Sequence, residues 1–180
     1  MRISIWSCLL LAATAAVTAA QPWGVGSGPN LVQNPGFETL DENGRPEHWS
    51  APGPVYSAAD EPVRTGERSL QYVNDDASRY LLCSQRITLE PGRRYHVQAW
   101  VRTENVQGKD TGAAVCIEYS DADGAYLGGY YPSGRKGDIT EWTEVGGISG
   151  RVPEAAASVS VLCYVRKDMT GTAWWDDVSV

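Results

Sequence analysis

Gly171-Thr172-Ala173-Trp174-Trp175-Asp176-Asp177-Val178-Ser179-Val180 closes the chain. Two indoles, two carboxylates and a Val-Ser-Val alternation read as a buried strand with a charged step in it, not as a frayed end. Such a strand is held only by pairing with earlier strands, and its acids need hydrogen bonds or a cation. Its counterpart at the other end is Asn30-Leu31-Val32-Gln33-Asn34-Pro35-Gly36-Phe37-Glu38, also strand-like and also ending in an acid. The two segments predict one β domain whose ends meet.

Working outward, residues 1–20 read as an export leader. Arg2 supplies the positive start, Ile3 to Val17 is largely apolar, and Thr18-Ala19-Ala20 offers small residues for cleavage before Gln21. The apolar run is short for a membrane span and no second one follows, so no membrane insertion is expected. Cys8 lacks the small residue that a lipid-attachment signal places just before it. The expected location is secreted, periplasmic or at the cell surface. Residues 21–29, rich in Gly and Pro, read as a linker, leaving 30–180 as a single domain of ordinary size.

Charge narrows the partners. The chain carries 15 Lys and Arg against 22 Asp and Glu, a net −7, and loss of Arg2 with the leader makes the balance more acidic. Nucleic-acid binding relies on clustered basic side chains, which are missing here. Beyond the leader, Cys83, Cys116 and Cys163 each sit inside an apolar run, with no Cys/His spacing suited to a metal. They read first as small buried hydrophobes; a single bridge, if formed, is expected between Cys83 and Cys163.

From Asn30 onward, short alternating segments are punctuated by turn residues. Strands are predicted at 30–37, 69–73, 80–89, 94–103, 113–119, 142–149, 158–166 and 172–180. Glu90-Pro91-Gly92-Arg93 and Asp121-Ala122-Asp123-Gly124 are turns. No helical periodicity and no internal repeat is present. The fold class is all-β, an antiparallel sandwich.

Period-two alternation sorts the faces. Tyr95, Val97, Ala99 and Val101 share a core side, leaving His96, Gln98, Trp100 and Arg102 outward. Val115, Ile117 and Tyr119 face in, with Cys116 and Glu118 out. Val159, Val161, Cys163 and Val165 face in, with Ser160, Leu162, Tyr164 and Arg166 out. Tyr80, Leu82, Ser84 and Arg86 lie opposite Leu81, Cys83, Ile87 and Leu89. The outward set, rich in aromatics, amides, Arg and Glu, suits a sugar: apolar C–H patches stack on rings, and hydroxyl rims meet planar polar groups. Seven Trp and nine Tyr against one Phe lean the same way. Trp100 is the expected stacking platform, with Tyr80, Gln98, Arg102, Glu118 and Tyr164 around it on one sheet surface. Trp49, Trp142 and Trp175 read as core. Tyr126, Tyr130 and Tyr131 lie in a Gly-rich loop and read equally as a groove rim or as ordinary surface tyrosines. His96 reads as passive and Arg166-Lys167-Asp168 as a solvated turn.

An ordered series of motifs carries a resemblance. Asn34-Pro35-Gly36-Phe37-Glu38, Pro46-Glu47-His48-Trp49, Thr65-Gly66-Glu67-Arg68-Ser69-Leu70, Leu89-Glu90-Pro91-Gly92-Arg93-Arg94-Tyr95, Trp142 and Trp175-Asp176-Asp177-Val178 follow one another across the domain. The chain resembles a family 4/9-type carbohydrate-binding module, a jelly roll of the galactose-binding-like group. The resemblance implies a non-catalytic module that binds a polysaccharide or oligosaccharide chain across its concave sheet. Such modules ride on glycoside hydrolases, in trans or within a longer chain. It also implies one structural Ca²⁺ away from the groove, held by the Glu38 and Asp177 side chains and by main-chain oxygens near Gly36, Arg64 and Glu67. The alternative for the two aspartates is that they cap turns and pair with Arg68.

Other chemistries find little footing. Glu118 with Asp121 or Asp123 is a conceivable glycosidase pair, but the aspartates sit in a Gly turn. Only His48 and His96 exist, neither near a nucleophile motif. The rival reading is an exported adhesion or interaction domain of the same fold that binds protein instead of glycan. On either reading the closing strand identifies the fold, and binding is expected on the row through Trp100, Glu118 and Tyr164.

Overall fold

The computed structural model describes residues 28–180; the expected leader and most of the expected linker lie outside them. Nine strands form two antiparallel sheets. They are β1 (Tyr56–Ala59), β2 (Ser69–Asn74), β3 (Cys83–Ile87), β4 (His96–Gly108), β5 (Ala113–Ser120), β6 (Tyr126–Tyr130), β7 (Gly137–Ile148), β8 (Ser158–Val165) and β9 (Met169–Ser179). One sheet runs β1-β2-β9-β4-β7 and the other β3-β8-β5-β6. The all-β jelly-roll expectation holds.

β9 lies in the middle of the five-stranded sheet, paired with β2 on one side and β4 on the other. Its inward residues Ala173, Trp175 and Val178 are fully buried. Trp175 edges against Tyr72 and approaches Tyr56. Its indole Nε1–H crosses the sandwich to the Ala114 carbonyl of β5, at 3.0 Å. A second cross-sheet tie comes from Tyr56, whose hydroxyl reaches the Leu81 and Cys163 carbonyls. An indole and a phenol thus spend their polar ends on backbone acceptors that would otherwise be buried in an apolar layer.

The opening segment joins β9 as expected, yet not as a strand. Leu31 N–H donates to Val180 O, Val178 N–H to Pro35 O, and the Asn30 side chain bridges Val178 O and Val180 N–H. Residues 30–37 form bends and turns instead, because Pro35 lacks a donor and Asn34 and Phe37 take positive φ. Phe37 still enters the core, against Trp49. Two strands escaped the alternation, β1 and the Gly-containing β6. Trp142, expected in the core, is half-buried and outside the core cluster.

All three described cysteines are free and buried. Cys83 and Cys163 stand directly opposite each other across β3 and β8. Ser84 exchanges both backbone bonds with Ser50 on the far side of β3. The polar backbone of Cys83 therefore points at β8, which makes Cys83–Cys163 a hydrogen-bonded pair. Such pairs hold their Cβ atoms roughly 5.5 Å apart, whereas a disulfide needs about 3.5–4.5 Å. Facing each other, the two thiols are still placed to pack, not to bridge.

Truncating Trp175→Ala removes both the largest core side chain and the cross-sheet donor. A loss of about 3–5 kcal/mol is expected in denaturant unfolding; a loss below about 1 kcal/mol would show that the closing strand is not the keystone of this core.

Candidate functional site

The alternation is correct strand by strand, but the outward rows belong to two different sheets. Gln98, Trp100 and Arg102 lie on β4, on the outer side of the five-stranded sheet. Glu118 on β5, Tyr164 on β8 and Tyr80 just ahead of β3 lie on the outer side of the four-stranded sheet. The six residues expected on one surface are thus divided between opposite faces of the sandwich.

Trp100 is also engaged. The Arg64 guanidinium sits 3.9 Å from its ring centroid and pairs with the Asp177 carboxylate beyond. A cation held over the indole by its own counter-ion takes one stacking surface out of use.

The outer side of the four-stranded sheet is better furnished. Ala114, Cys116, Leu162 and Tyr164 are buried there even though they point away from the main core, forming a small second apolar cluster with Leu82. Around it, Tyr80, Tyr126 and Tyr131 remain substantially exposed, at 42%, 60% and 39%. The Tyr131 hydroxyl donates to Glu118 Oε1 at 2.8 Å and lies 2.7 Å from the Tyr126 hydroxyl. Gly129 makes this possible: a Cβ there would sit 2.8 Å from the Tyr131 ring, so glycine lets the ring fold across β6 toward Glu118.

Arg166 stands at the end of this face: Lys167 and Asp168 form the exposed turn expected there, but the Arg166 side chain lies back against the sheet. Its guanidinium lies 5.2 Å from the Tyr164 ring and 5.7 Å from the Tyr131 ring, and it donates to Pro132 O at 3.0 Å. Arg166 Nε pairs with the Asp110 carboxylate at 4.0 Å but, like the buried Tyr164 hydroxyl, has no hydrogen-bond partner among the described residues. Burial drives the Tyr164 hydroxyl and the Cys116 thiol upward, the thiol to about 12, so both stay protonated and neutral. Desolvation and the hydrogen bonds to Tyr126 and Glu118 likewise hold Tyr131 protonated. The result is a neutral aromatic surface with one carboxylate and one guanidinium, able to stack on rings and to exchange hydrogen bonds with hydroxyls.

The acidic step at the chain's end sits elsewhere. Asp176 is fully buried, with Oδ2 accepting from the Arg64 and Thr65 N–H groups and Oδ1 from Asp177 N–H. Glu38 accepts from the Glu67 and Arg68 N–H groups. Both carboxylates lie 3.4 Å from the point where a Gly36 Cβ would be, and a Cβ on Gly66 would strike Glu38 Oε1 at 2.0 Å. Asp177 does not join them. It takes positive φ at a register shift between β9 and β4, and its carboxylate turns to Arg64 and the Thr65 hydroxyl. The carboxylate beside Glu38 is therefore that of Asp176, one residue earlier than expected. Arg68 pairs with Asp60 and donates to the Glu38 carbonyl, with no contact to either aspartate. Burial raises Asp176 to about 6 against its three backbone donors. Among the described residues no three acidic, His or Cys side chains gather as a metal cluster. Two carboxylates crowded against glycine backbone nevertheless fit a hard cation that completes its shell with carbonyl oxygens.

The architecture is that of a jelly-roll binding domain, and the comparisons identify its family. The Carbohydrate binding domain model of families 4 and 9 matches residues 29–148, two thirds of the chain, and the chain belongs to that family. No curated protein matches. Among solved structures, the chain is similar to a xylan-binding domain of family 22, at 17% identity, TM-score 0.60, and coverage of 83% of this chain and 93% of that one. It is also similar to a family 61 module in complex with β-1,4-galactotriose, at 19% identity, TM-score 0.54, and coverage of 84% and 97%. The joined family 22 and GH10 modules of the Clostridium thermocellum endo-1,4-beta-D-xylanase 10B match at 18% identity and TM-score 0.59, with 84% of this chain covering 28% of that one. The chain likewise spans only 21% of a bacteriophage CBA120 tailspike domain that it matches. At these identities the structural likeness speaks for the fold.

Sequence reasoning leaves Tyr126 and Tyr131 open between groove rim and ordinary surface, and it does not join them or Arg166 to Glu118. Arg166 was in plain view as the next outward position after Ser160, Leu162 and Tyr164. The tyrosines were hidden because β6 contains two glycines and a register shift against β5.

Proposed function

We propose that this carbohydrate-binding module takes its glycan chain across the outer side of the four-stranded sheet. Tyr80, Tyr126 and Tyr131 are the stacking surfaces, and Glu118 and Arg166 the hydroxyl-binding pair. The observation that carries this reading is the Tyr126–Tyr131–Glu118 hydrogen-bond chain laid beside exposed Tyr80. It supplies rings already fixed in orientation, which lowers the ordering cost of binding. A neutral chain suits it, since the protein is acidic overall and Glu118 faces the ligand. Tyr164 supports the floor, and Gln98, Trp100 and Arg102 take no part. The same reading places the module outside the cytoplasm, on the leader-like residues 1–20. It also pairs the module with a glycoside hydrolase, as in the xylanase modules it is similar to.

In isothermal titrations against xylo-, cello- and galacto-oligosaccharides, Tyr131→Ala and Tyr80→Ala should each weaken binding about tenfold or more, roughly 1.4 kcal/mol, without shifting the melting temperature. Trp100→Ala should bind as the parent does. No binding by the parent to any of these chains would favour the adhesion-domain alternative.

A structural Ca²⁺ is the second part of the proposal. Glu38 and Asp176 would hold it by side chain, with carbonyl oxygens near Gly36, Arg64 and Glu67 completing the shell. The ion would neutralise two crowded carboxylates and tie the 64–67 loop to the last strand. Chelation should then lower the melting temperature and added Ca²⁺ restore it; at a hundredfold excess over Kd the bound ion stabilises the fold by about 2.7 kcal/mol. A melting temperature indifferent to both would remove calcium from the account.

A further inference from the structure

The five-stranded sheet carries a recess of its own, on the opposite side of the sandwich from the tyrosines. The Asp60–Glu67 loop forms one wall, the β7 residues Asp138, Ile139 and Thr140 the other, and β4 and β9 the base, enclosing an open cleft of about 1110 Å³. Arg102 and Trp174 are register partners on the base and share the outward side. Trp174 is absent from both apolar clusters, lines the cleft and is nine-tenths buried there, yet its indole N–H has no acceptor among the described residues. An orphaned donor at this depth costs stability unless something accepts from it.

The walls are acidic. Asp60, Glu61, Glu67, Glu104 and Asp138 line the cleft against a single lining cation, Arg102. Asp60 leans on Arg68 at 3.6 Å and Asp138 accepts from Asn105 N–H at 2.7 Å. The Glu61, Glu67, Glu104 and Arg102 side chains have no hydrogen bond or ion pair among the described residues. The carboxylates are spread along the walls and form no metal cluster, so an elongated ligand with separated positive groups matches them better than a single ion. That ligand must also bring acceptors to the Trp174 N–H and to the Arg102 fork.

From this geometry we infer a second binding site, for an amine-bearing oligosaccharide of the glucosamine type. Each ring of such a chain brings an ammonium for a wall carboxylate, in charge-assisted pairs, and hydroxyl oxygens that accept from the indole and the guanidinium. A neutral chain offers only hydroxyls to the carboxylates, and an acidic chain is repelled. The module then has two independent faces, one aromatic and neutral, one acidic, and is able to bridge two chains of different charge.

The test is a titration of the protein with fully deacetylated and fully N-acetylated β-1,4-glucosamine hexamers and a lysine hexamer. The deacetylated hexamer should bind, and its affinity should fall several-fold between 50 and 200 mM salt. The N-acetylated hexamer should leave the cleft unoccupied. Binding of the deacetylated chain should drop about tenfold in the Glu61→Gln, Glu104→Gln double variant and more than threefold in Trp174→Phe, which keeps the bulk and removes the donor. It should be unchanged in Tyr131→Ala, which separates this site from the tyrosine face. Absence of binding, loss in Tyr131→Ala alone, or lysine hexamer binding as tightly with no response to Trp174→Phe would each overturn the assignment.

Discussion

The rest of the molecule depends on the position of β9 in the centre of its sheet, locked across the sandwich by the Trp175 N–H to Ala114 O bond. A central strand has no free edge, so both its hydrogen-bonding sides must be met by partners from distant parts of the chain. β2 and β4 meet them here, with the opening segment at the strand's end. Once Trp175 is anchored inward, alternation sends Trp174 and Asp176 outward. Both consequences lie on the outer side of the five-stranded sheet. Trp174 becomes the base of the acidic cleft, and Asp176 becomes the buried acceptor that gathers the N–H groups of the 64–65 loop.

The register shift at Asp177 is the second consequence. Without it Asp177 would follow Asp176 in strict alternation and Val178 would point outward. With it Val178 returns to the core and Asp177 is freed to hold Arg64 over Trp100. One backbone irregularity thus keeps the core intact, and the Asp176 and Glu38 carboxylates together, while one face of the most conspicuous outward indole is covered. The proposed binding surface lies on the other sheet, where Gly129 allows Tyr131 to lie across β6 and the Glu118 carboxylate fixes it.

Much of this was legible in the residues. The core and outward rows of β4, β5 and β8 follow from period two, and the meeting of the chain's ends follows from two strand-like acidic segments. The cysteines as packing residues follow from their apolar surroundings. Alternation, however, assigns a side within a strand and says nothing about which sheet the strand joins. That is why Trp100 and Glu118 were grouped although the sandwich separates them. That the carboxylate beside Glu38 belongs to Asp176 and not to Asp177 is hidden too, because a register shift leaves no mark in side-chain pattern. β6 was hidden for a related reason: glycine gives a strand no face, and the significance of Tyr126 and Tyr131 lies in what they meet across the sheet.

The central claim is that glycan lies on the tyrosine face and not against Trp100. Backbone and side-chain NMR shift mapping during titration with the tightest-binding neutral oligosaccharide tests it most directly. The account predicts changes concentrated at Tyr80, Glu118, Tyr126, Tyr131 and Arg166, with Trp100 and Gln98 unmoved. Changes centred on Trp100, Gln98 and Arg102, with the tyrosine face silent, would contradict it.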